Sequence, residues 1–241
     1  MVIAAARPGL RQNFVSTGPF VPTQIAGCDL WLDAGQITGS VDGAAVATWQ
    51  DRSGNARNAT QATVAKQPTF RSTGVNLTPT GKPVVQFDGV GTFLDTVVFT
   101  VATPISLFFT LKEVSNAGGT VYYDSPTAAA TTDIYHNAGA TALNGETGTA
   151  TGASTTVADT SFHTFSSMHG TTASSIFRDG VSILAYGGAA QSSAGYRLGA
   201  SRNAAGFLNG VYAEFIAYNR TLTTGERQQV EGYLTTKHGT P

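Results

Sequence analysis

The segment 51–55, with the sequence DRSGN, carries oxygen-bearing side chains at alternate positions, directly after a strand-like run that ends near Trp49. Alternate side chains of an extended chain point to the same side, so such a row can surround a hard cation such as Ca²⁺. Further carboxylates are available from the segment FDGVGTFLD at 87–95. The predicted calcium ligands are Asp51, Asn55, Asp88 and Asp95.

The same five letters also predict an ordinary turn. Ca²⁺ takes about six to eight oxygen ligands and favours several carboxylates, whereas segment 51–55 offers only one. Asp, Ser, Gly and Asn each form turns, through side-chain bonds to the backbone or tolerance of positive φ. A turn is therefore the favoured interpretation. Without calcium no cofactor is expected.

The carboxylates give little support to glycoside hydrolysis, which needs two of them about 5–5.5 Å or about 6.5–9.5 Å apart. On one strand, acids two residues apart would share a face. The chain has five glutamates, none with an acid two residues away. No G-x-S-x-G nucleophile motif is present either. We therefore expect a protein that is not an enzyme and has no catalytic residues, although a pair from distant strands stays open.

A sugar-binding site needs a shallow cleft with an aromatic platform and a few polar side chains. The chain offers aromatic and arginine residues close to predicted turns. The candidate ligand-binding residues are Tyr122, Tyr123, Tyr135, Tyr196, Arg197 and Arg202. The alternative for each tyrosine is a place in the core, which is the commoner fate of aromatic residues.

Short strands must position these residues. From Asp29 onward, strand-like runs alternate with Gly- and Asn-rich turns, which predicts an all-β sandwich or barrel. The run ISLFFTLKEV predicts a strand buried on both faces, and Asp179-Gly180 predicts a tight hairpin. One helix closes the chain, with a capping box at Thr223 and Glu226. Its apolar stripe, expected to pack on the sheet, comprises Val230, Tyr233 and Leu234.

Composition excludes several classes of protein. Charged residues make up 12% of the 241, the net charge is −1, and no Lys/Arg cluster appears, which argues against a nucleic-acid partner. No apolar run approaches the roughly 18 residues of a membrane span. The apolar start is broken by Arg7, Pro8 and Gly9, so no signal peptide is expected. The single cysteine, Cys28, excludes an internal disulfide.

Residues 1–26 differ in composition from the rest. Pro8, Pro19 and Pro22 stand among Gly, Ser and Thr without periodicity, which predicts an extended arm with no core of its own. The arm is either a disordered tail or a segment that orders on a neighbouring subunit. We therefore divide the chain into an arm, 1–26, and one domain, 27–241.

The order of motifs in this domain resembles a known family. LWLDA is followed by WQDRSGN, QPTF, GKPVVQFDG and FLD, and later by FHTF, FRDG, YRLGAS and FLNGVYAEFIAYNRTLT. This series, from about Cys28 to Gly239, resembles the laminin-G-like branch of the concanavalin A-like lectin/glucanase superfamily. The resemblance implies a jelly-roll sandwich of two antiparallel sheets with a short terminal helix. Members of the branch are frequent in phage and bacterial surface proteins.

These observations together predict a structural or adhesion protein of a phage virion, either a capsid decoration or a tail-associated component. It would lie on the virion surface or outside the cell and contact other assembly proteins through residues 1–26. A homo-oligomer would suit that position. The main alternative is a lectin for host-surface glycans, and the third hypothesis is a glycoside hydrolase. A fold alone does not choose between these functions.

Overall fold

The computed structural model describes residues 18–115, 119–126, 132–136, 142–155 and 159–241. Almost all regular structure in these ranges is antiparallel strand, followed by one α-helix, α1 (Thr224–His238). The strands in chain order are β1 (Cys28–Asp33), β2 (Thr48–Trp49), β3 (Ala59–Thr60), β4 (Thr69–Arg71), β5 (Val84–Asp88), β6 (Leu94–Thr96), β7 (Thr100–Ala102), β8 (Ile105–Glu113), β9 (Val121–Asp124), β10 (Thr132–His136), β11 (Leu143–Thr147), β12 (Ala150–Ala153), β13 (His163–His169), β14 (Ala173–Arg178), β15 (Val181–Gly187), β16 (Ser192–Ala194), β17 (Arg197–Leu198) and β18 (Asn209–Tyr218).

Two eight-stranded sheets form the sandwich. The first, sheet A, has the order β15-β14-β13-β8-β18-β5-β4, and β1 also pairs with β18. The second, sheet B, has the order β12-β11-β10-β9-β17-β6-β3-β2, while β16 and β7 form a separate ribbon. The expectation of an all-β, two-sheet antiparallel sandwich with one C-terminal helix is confirmed.

Strands β8 and β18 lie at the centre of sheet A. β8 is buried along almost its whole length, as its continuous apolar run predicts. The long β18 pairs with β8 on one side; on the other, 209–212 pair with β5 and 214–218 with β1. β1 and β5 therefore lie end to end along the same strand.

The main core fills the space between the sheets. Phe109 of β8 stacks against Phe165 of β13 and Phe215 of β18, with ring centroids 5.3 and 6.0 Å apart. Leu30 and Leu32 of β1 enter the same core. Because side chains alternate along a strand, Trp31 between them points to the opposite face.

Helix α1 covers the outer face of sheet A. Its N-terminus has the predicted capping box, in which Thr223 and Glu226 bond each other's backbone N–H groups. Val230 and Leu234 are fully buried against outward-facing side chains of sheet A, and Tyr233 is partly buried beside them. The stripe predicted from the sequence is confirmed as a packing surface.

The predicted hairpin at Asp179-Gly180 joins β14 and β15. Both residues have positive φ, +52° and +77°, as a type I′ turn requires. Arg178 and Val181 form the first cross-strand pair after the turn. The turn fixes the register of a hairpin at the edge of sheet A.

Part of the predicted arm lies against the domain. The Phe20 ring meets the Tyr233 ring edge-on at 5.7 Å, and the Tyr218 hydroxyl donates to the carbonyl of Pro22 at 3.0 Å. Residues 1–17 lie outside the described ranges, so an extended arm remains a prediction for that segment. The described part of the chain contains no helix with the length and apolar character that crossing a membrane requires.

Candidate functional site

The DRSGN segment is a corner organised by the Asp51 carboxylate. Oδ1 accepts hydrogen bonds from the backbone N–H groups of Trp31 at 3.0 Å and Ser53 at 2.8 Å. Oδ2 accepts from the Arg57 N–H at 2.9 Å and the Ser53 hydroxyl at 2.8 Å. Four donors occupy the carboxylate, so its oxygens serve the protein's own backbone.

Asn55 ties the same corner to β1. Its Nδ2 donates to the carbonyls of Cys28 at 3.2 Å and Asp29 at 3.1 Å. The Arg52 N–H donates to the carbonyl of Trp31 at 2.7 Å, and Leu32 forms an isolated bridge with Asp51. The corner is thereby held against the free edge of β1, next to Trp31.

Trp31 is half-buried and fixed in orientation. Its Nε1 donates a 2.6 Å hydrogen bond to Oε1 of Glu214, a fully buried carboxylate on β18. The Tyr233 hydroxyl also donates to Oε1, while Lys237 and His238 bond Oε2 at 2.7 and 2.8 Å. The indole ring is therefore held by a buried ionic cluster.

The pKa of Glu214 reflects that cluster. Burial alone would raise it, but the hydrogen bond from His238 and the charge of Lys237 outweigh burial and lower the pKa. Burial, followed by repulsion from Glu214, raises the pKa of the neighbouring Asp33. Lys237 Nζ bonds both carboxylates, with a distance of 2.6 Å to Asp33. Glu214 is accordingly ionised at neutral pH behind Trp31.

An open groove of about 470 Å³ lies beside Trp31, lined also by Gln36, Asp51, Arg52 and Gly54. The Arg52 guanidinium donates from Nη2 to Oε1 of Gln36 at 3.1 Å, on the exposed side. A Cβ at Gly54 would meet nothing within 4 Å, so the side of the groove at this turn is open. The groove combines one rigid aromatic ring with planar amide and guanidinium groups.

The four predicted calcium ligands are not brought together as one site. Asp88 Oδ1 accepts from three backbone N–H groups of its own turn, at Val90, Gly91 and Thr92. Asp95 forms a two-pronged ion pair with Arg197, both contacts being 2.7 Å. Within the described ranges, no group of three His, Cys, Asp or Glu side chains could hold a metal ion. The predicted grouping is therefore corrected: Asp51 and Asn55 share one corner, Asp88 organises its own turn, and Asp95 pairs with Arg197.

The prediction of a sugar-binding role is wrong for three of the four tyrosines. Tyr122, Tyr123 and Tyr196 are at most 2% exposed and lie in the core between the sheets. Their rings pack edge-on against Phe109 and Phe215. A side chain enclosed in this way offers no platform to a ligand.

The predicted arginines are held by the protein. Arg197 lies over the Phe93 ring at 4.3 Å, and its remaining donors reach the carbonyls of Ser201 and Arg202. The guanidinium of Arg202 lies 3.7 Å from Asp124. Four of the five N–H donors of Arg197 bond Asp95 and these carbonyls, and the side chain is buried, so the structure does not present Arg197 as a ligand-binding residue.

Tyr135 is half-buried and donates to Oε1 of Glu146 at 3.2 Å. It stands beside Asp133, whose pKa is raised to about 8 by burial and then by the charges of Glu146 and Asp124, against a lowering effect of Arg202. Tyr135 and Arg202 thus border one acidic cluster on sheet B. Neither lies near the groove beside Trp31.

The sequence prediction missed Trp31, Gln36 and Arg52. The signal for Trp31 was present in CDLWLD: Leu30 and Leu32 take the core face, so the residue between them must take the other. No sequence pattern indicates Gln36 or Arg52, because a single 3₁₀ turn and the corner bring them together.

No family model matches the sequence, and no curated protein matches it. Solved structures share its fold. A Trypanosoma rangeli sialidase is similar with a TM-score of 0.60 and 14% identity, covering 88% of this chain and 33% of the sialidase chain. This chain therefore spans about a third of the length of that sialidase.

Two further structures match at similar levels. Domain 4 of AbnA, a GH43 extracellular arabinanase from Geobacillus stearothermophilus in complex with arabinotriose, has a TM-score of 0.55 and 11% identity, covering 80% of this chain and 99% of that domain. Botulinum neurotoxin type C, whose cell entry depends on two ganglioside molecules, has a TM-score of 0.53 and 9% identity, covering 86% of this chain and 51% of that one. These β-sandwiches are compatible with the expected concanavalin A-like fold.

The expectation that the chain is not an enzyme needs correction. The similar structures come mostly from glycoside hydrolases, among them the sialidase and the arabinanase, which points away from it. The sequence argument could test only acids on one strand and left a pair from distant strands open. In the structure, Asp133 of β10 stands directly opposite Glu146 of β11, so carboxylates do meet across strands.

Proposed function

We propose that this chain is a carbohydrate-binding β-sandwich domain whose ligand lies in the groove beside Trp31. The observation that carries the proposal is a partly exposed indole fixed by Glu214 and bordered by the exposed polar side chains of Arg52 and Gln36. An apolar sugar face stacks on the ring, while Arg52 donates to hydroxyl groups and Gln36 both donates and accepts. Because the ring is already held in place, little conformational freedom is lost on binding.

The fold comparisons support a carbohydrate ligand. The AbnA domain matches over 99% of its length and was solved with arabinotriose. The neurotoxin depends on ganglioside molecules for cell entry. Both share the β-sandwich fold of this chain. Fold likeness gives no ligand identity, which the groove itself must determine.

Replacing Trp31 by Ala is expected to weaken glycan binding at least tenfold, measured on a glycan array and then by calorimetry with the best ligand. A tenfold loss corresponds to about 1.4 kcal/mol. Trp31→Phe is the matched control: it keeps an aromatic face and should retain part of the affinity. Arg52→Ala should weaken binding without changing the fold, because Arg52 lies in an exposed loop. The proposal would be refuted if the wild-type protein bound no glycan on a broad array, or if Trp31→Ala bound glycans as tightly as the wild type.

We further propose that the domain belongs to the laminin-G-like branch and is displayed on a virion, in contact with other assembly proteins through its N-terminal arm. Low charge and a proline-broken N-terminus motivate this location. Within the predicted arm, 1–26, Phe20 and Pro22 already contact the domain, so we propose that residues 1–17 make the anchoring contacts.

Deleting residues 1–17 is therefore expected to leave the unfolding temperature within about 2 °C of the full chain's, because the deletion keeps the contacts of Phe20 and Pro22 with the domain. The truncated protein should no longer join its particle. The measurement is copy number in purified particles alongside a thermal unfolding curve. Normal incorporation of the truncated, folded protein would contradict the anchoring role.

A further inference from the structure

A second open groove, of about 320 Å³, lies between helix α1 and the segment that precedes β1. It shares no lining residue with the groove beside Trp31. A single water takes about 30 Å³, so this groove has room for a sugar ring. Its lining residues are Pro19, Phe20, Gln229, Tyr233, Thr236 and Lys237.

One face of α1 forms the floor of the second groove. Positions i, i+4, i+7 and i+8 of a helix share one face. Gln229, Tyr233, Thr236 and Lys237 have this spacing. The adjacent stripe, which begins at Val230, is buried against sheet A. The helix therefore carries two stripes side by side, one packed on the sheet and one open to the groove.

The segment before β1 forms the opposite wall. The Phe20 ring meets the Tyr233 ring edge-on at 5.7 Å. Two residues further along, the carbonyl of Pro22 accepts a 3.0 Å hydrogen bond from the Tyr218 hydroxyl. These contacts attach the wall to the domain, so the groove is formed without a ligand and little conformational freedom is lost on binding.

The two grooves adjoin at Glu214. Its Oε1 accepts a hydrogen bond from Trp31 Nε1 at 2.6 Å and another from the Tyr233 hydroxyl at 2.9 Å. One oxygen thus holds an aromatic side chain of each groove. Trp31, Phe20 and Tyr233 also pack against the same hydrophobic cluster on the outer face of sheet A. A sugar chain that extends from one groove therefore meets the other next to it.

The second groove offers aromatic surface and neutral polar groups. Its one charged lining residue is Lys237, whose ammonium group has three N–H donors. These donors bond two carboxylates and the Tyr233 hydroxyl, at 2.6, 2.7 and 2.9 Å. Gln229 and Thr236 are exposed, and both can donate and accept hydrogen bonds. The groove therefore suits a neutral sugar unit better than an acidic one.

We propose that the ligand is a neutral oligosaccharide of at least two units that spans both grooves. One unit stacks on Trp31, and a following unit lies against Phe20 and Tyr233 with Gln229 as its hydrogen-bond partner. This inference rests on the proposed function and extends it from a single-sugar site to one with two subsites. Units of one chain share the cost of lost translational freedom, so affinity increases with chain length.

The test measures affinity against chain length. Cello-, manno-, xylo- and arabino-oligosaccharides of one to six units are titrated into the wild-type protein by calorimetry. In a series that binds, affinity should rise at least tenfold from one unit to three, whereas the acidic oligogalacturonates should show a smaller rise. Equal affinity for one and three units, or a larger rise with the acidic series, would refute this inference and leave the groove beside Trp31 standing. Absence of binding by every series would refute the proposed function as well.

Three variants locate the added affinity. Gln229→Ala and Phe20→Ala should each lower the affinity for the three-unit ligand at least threefold and leave that for a single unit unchanged. Gln228→Ala is the matched control, because Gln228 is also exposed but does not line the groove, and it should bind as the wild type does. A thermal unfolding curve checks the fold of Phe20→Ala, while Gln229→Ala changes only an exposed side chain. Wild-type affinity for three units in Gln229→Ala and in folded Phe20→Ala would overturn the second subsite.

Discussion

Replacing Glu214 by Ala is expected to lower the free energy of unfolding by about 3–5 kcal/mol, the range typical for breaking a buried ion pair. The fully buried carboxylate accepts from Trp31, Tyr233, Lys237 and His238, so its removal leaves four donors without their acceptor. Urea denaturation followed by tryptophan fluorescence measures the change. A loss below about 1 kcal/mol, the scale of an exposed pair, would show that the cluster is not a structural anchor.

Glu214→Gln is the matched control, because it keeps an oxygen for Trp31 and removes the charge that pairs with Lys237 and His238. Its deficit should depend on pH. The folded pKa of Glu214 lies below its ordinary value, so the carboxylate stabilises the fold above the unfolded pKa of about 4.3. That contribution disappears as pH falls through the lower folded pKa. The gap between wild type and Glu214→Gln should therefore close in acid, and a gap independent of pH would contradict the charge argument.

The second large effect is expected at Asp51. Asp51→Ala removes an acceptor from three backbone N–H groups and one hydroxyl, and we expect a loss of roughly 3 kcal/mol in unfolding free energy. The corner would also move away from β1, so glycan binding beside Trp31 should weaken together with stability. Denaturant unfolding and calorimetry with the best glycan test the two consequences on one protein.

Asp51→Asn is the matched control, because it keeps the size of the side chain and reduces the number of hydrogen-bond acceptors. Its Nδ2 donates and cannot accept, so two of the four bonds are lost and an intermediate deficit is expected. Added calcium tests the alternative that this corner is a metal site. Because the Asp51 carboxylate is already occupied by backbone N–H groups, added Ca²⁺ should leave the unfolding temperature of the wild-type protein unchanged. A calcium-dependent rise that Asp51→Ala abolishes would restore a metal site at the corner.

Local patterns predicted the fold well. The strand β8, the hairpin turn at Asp179-Gly180 and the capping box at Thr223 are each decided by neighbouring residues, and each occurs as predicted. The order of motifs added the sandwich architecture. What local patterns cannot supply is the pairing of distant strands.

The site depended on that pairing. Nothing in the sequence around Tyr122 and Tyr196 distinguishes them from exposed tyrosines. They are buried only because both sheets pack around Phe109 and Phe215. Trp31 became a candidate because Glu214, 183 positions away, fixes its ring. Acids on β10 and β11 face each other through register alone, so a search restricted to one strand could not detect them.

The central position of β18 has a consequence for how the chain reaches its folded state. Sheet A is joined through this strand, which lies near the C-terminal end yet pairs with β8, β5 and β1, as in the pair Cys28 and Tyr218. A growing chain therefore cannot complete the sheet until most of it has left the ribosome. Until then β8 can pair with β13 on one side but lacks β18 on the other, and an unpaired apolar strand edge favours aggregation. Such long-range pairing also makes folding slow, on the millisecond-to-second scale. Production of this protein should consequently respond to chaperone supply and to lower growth temperature.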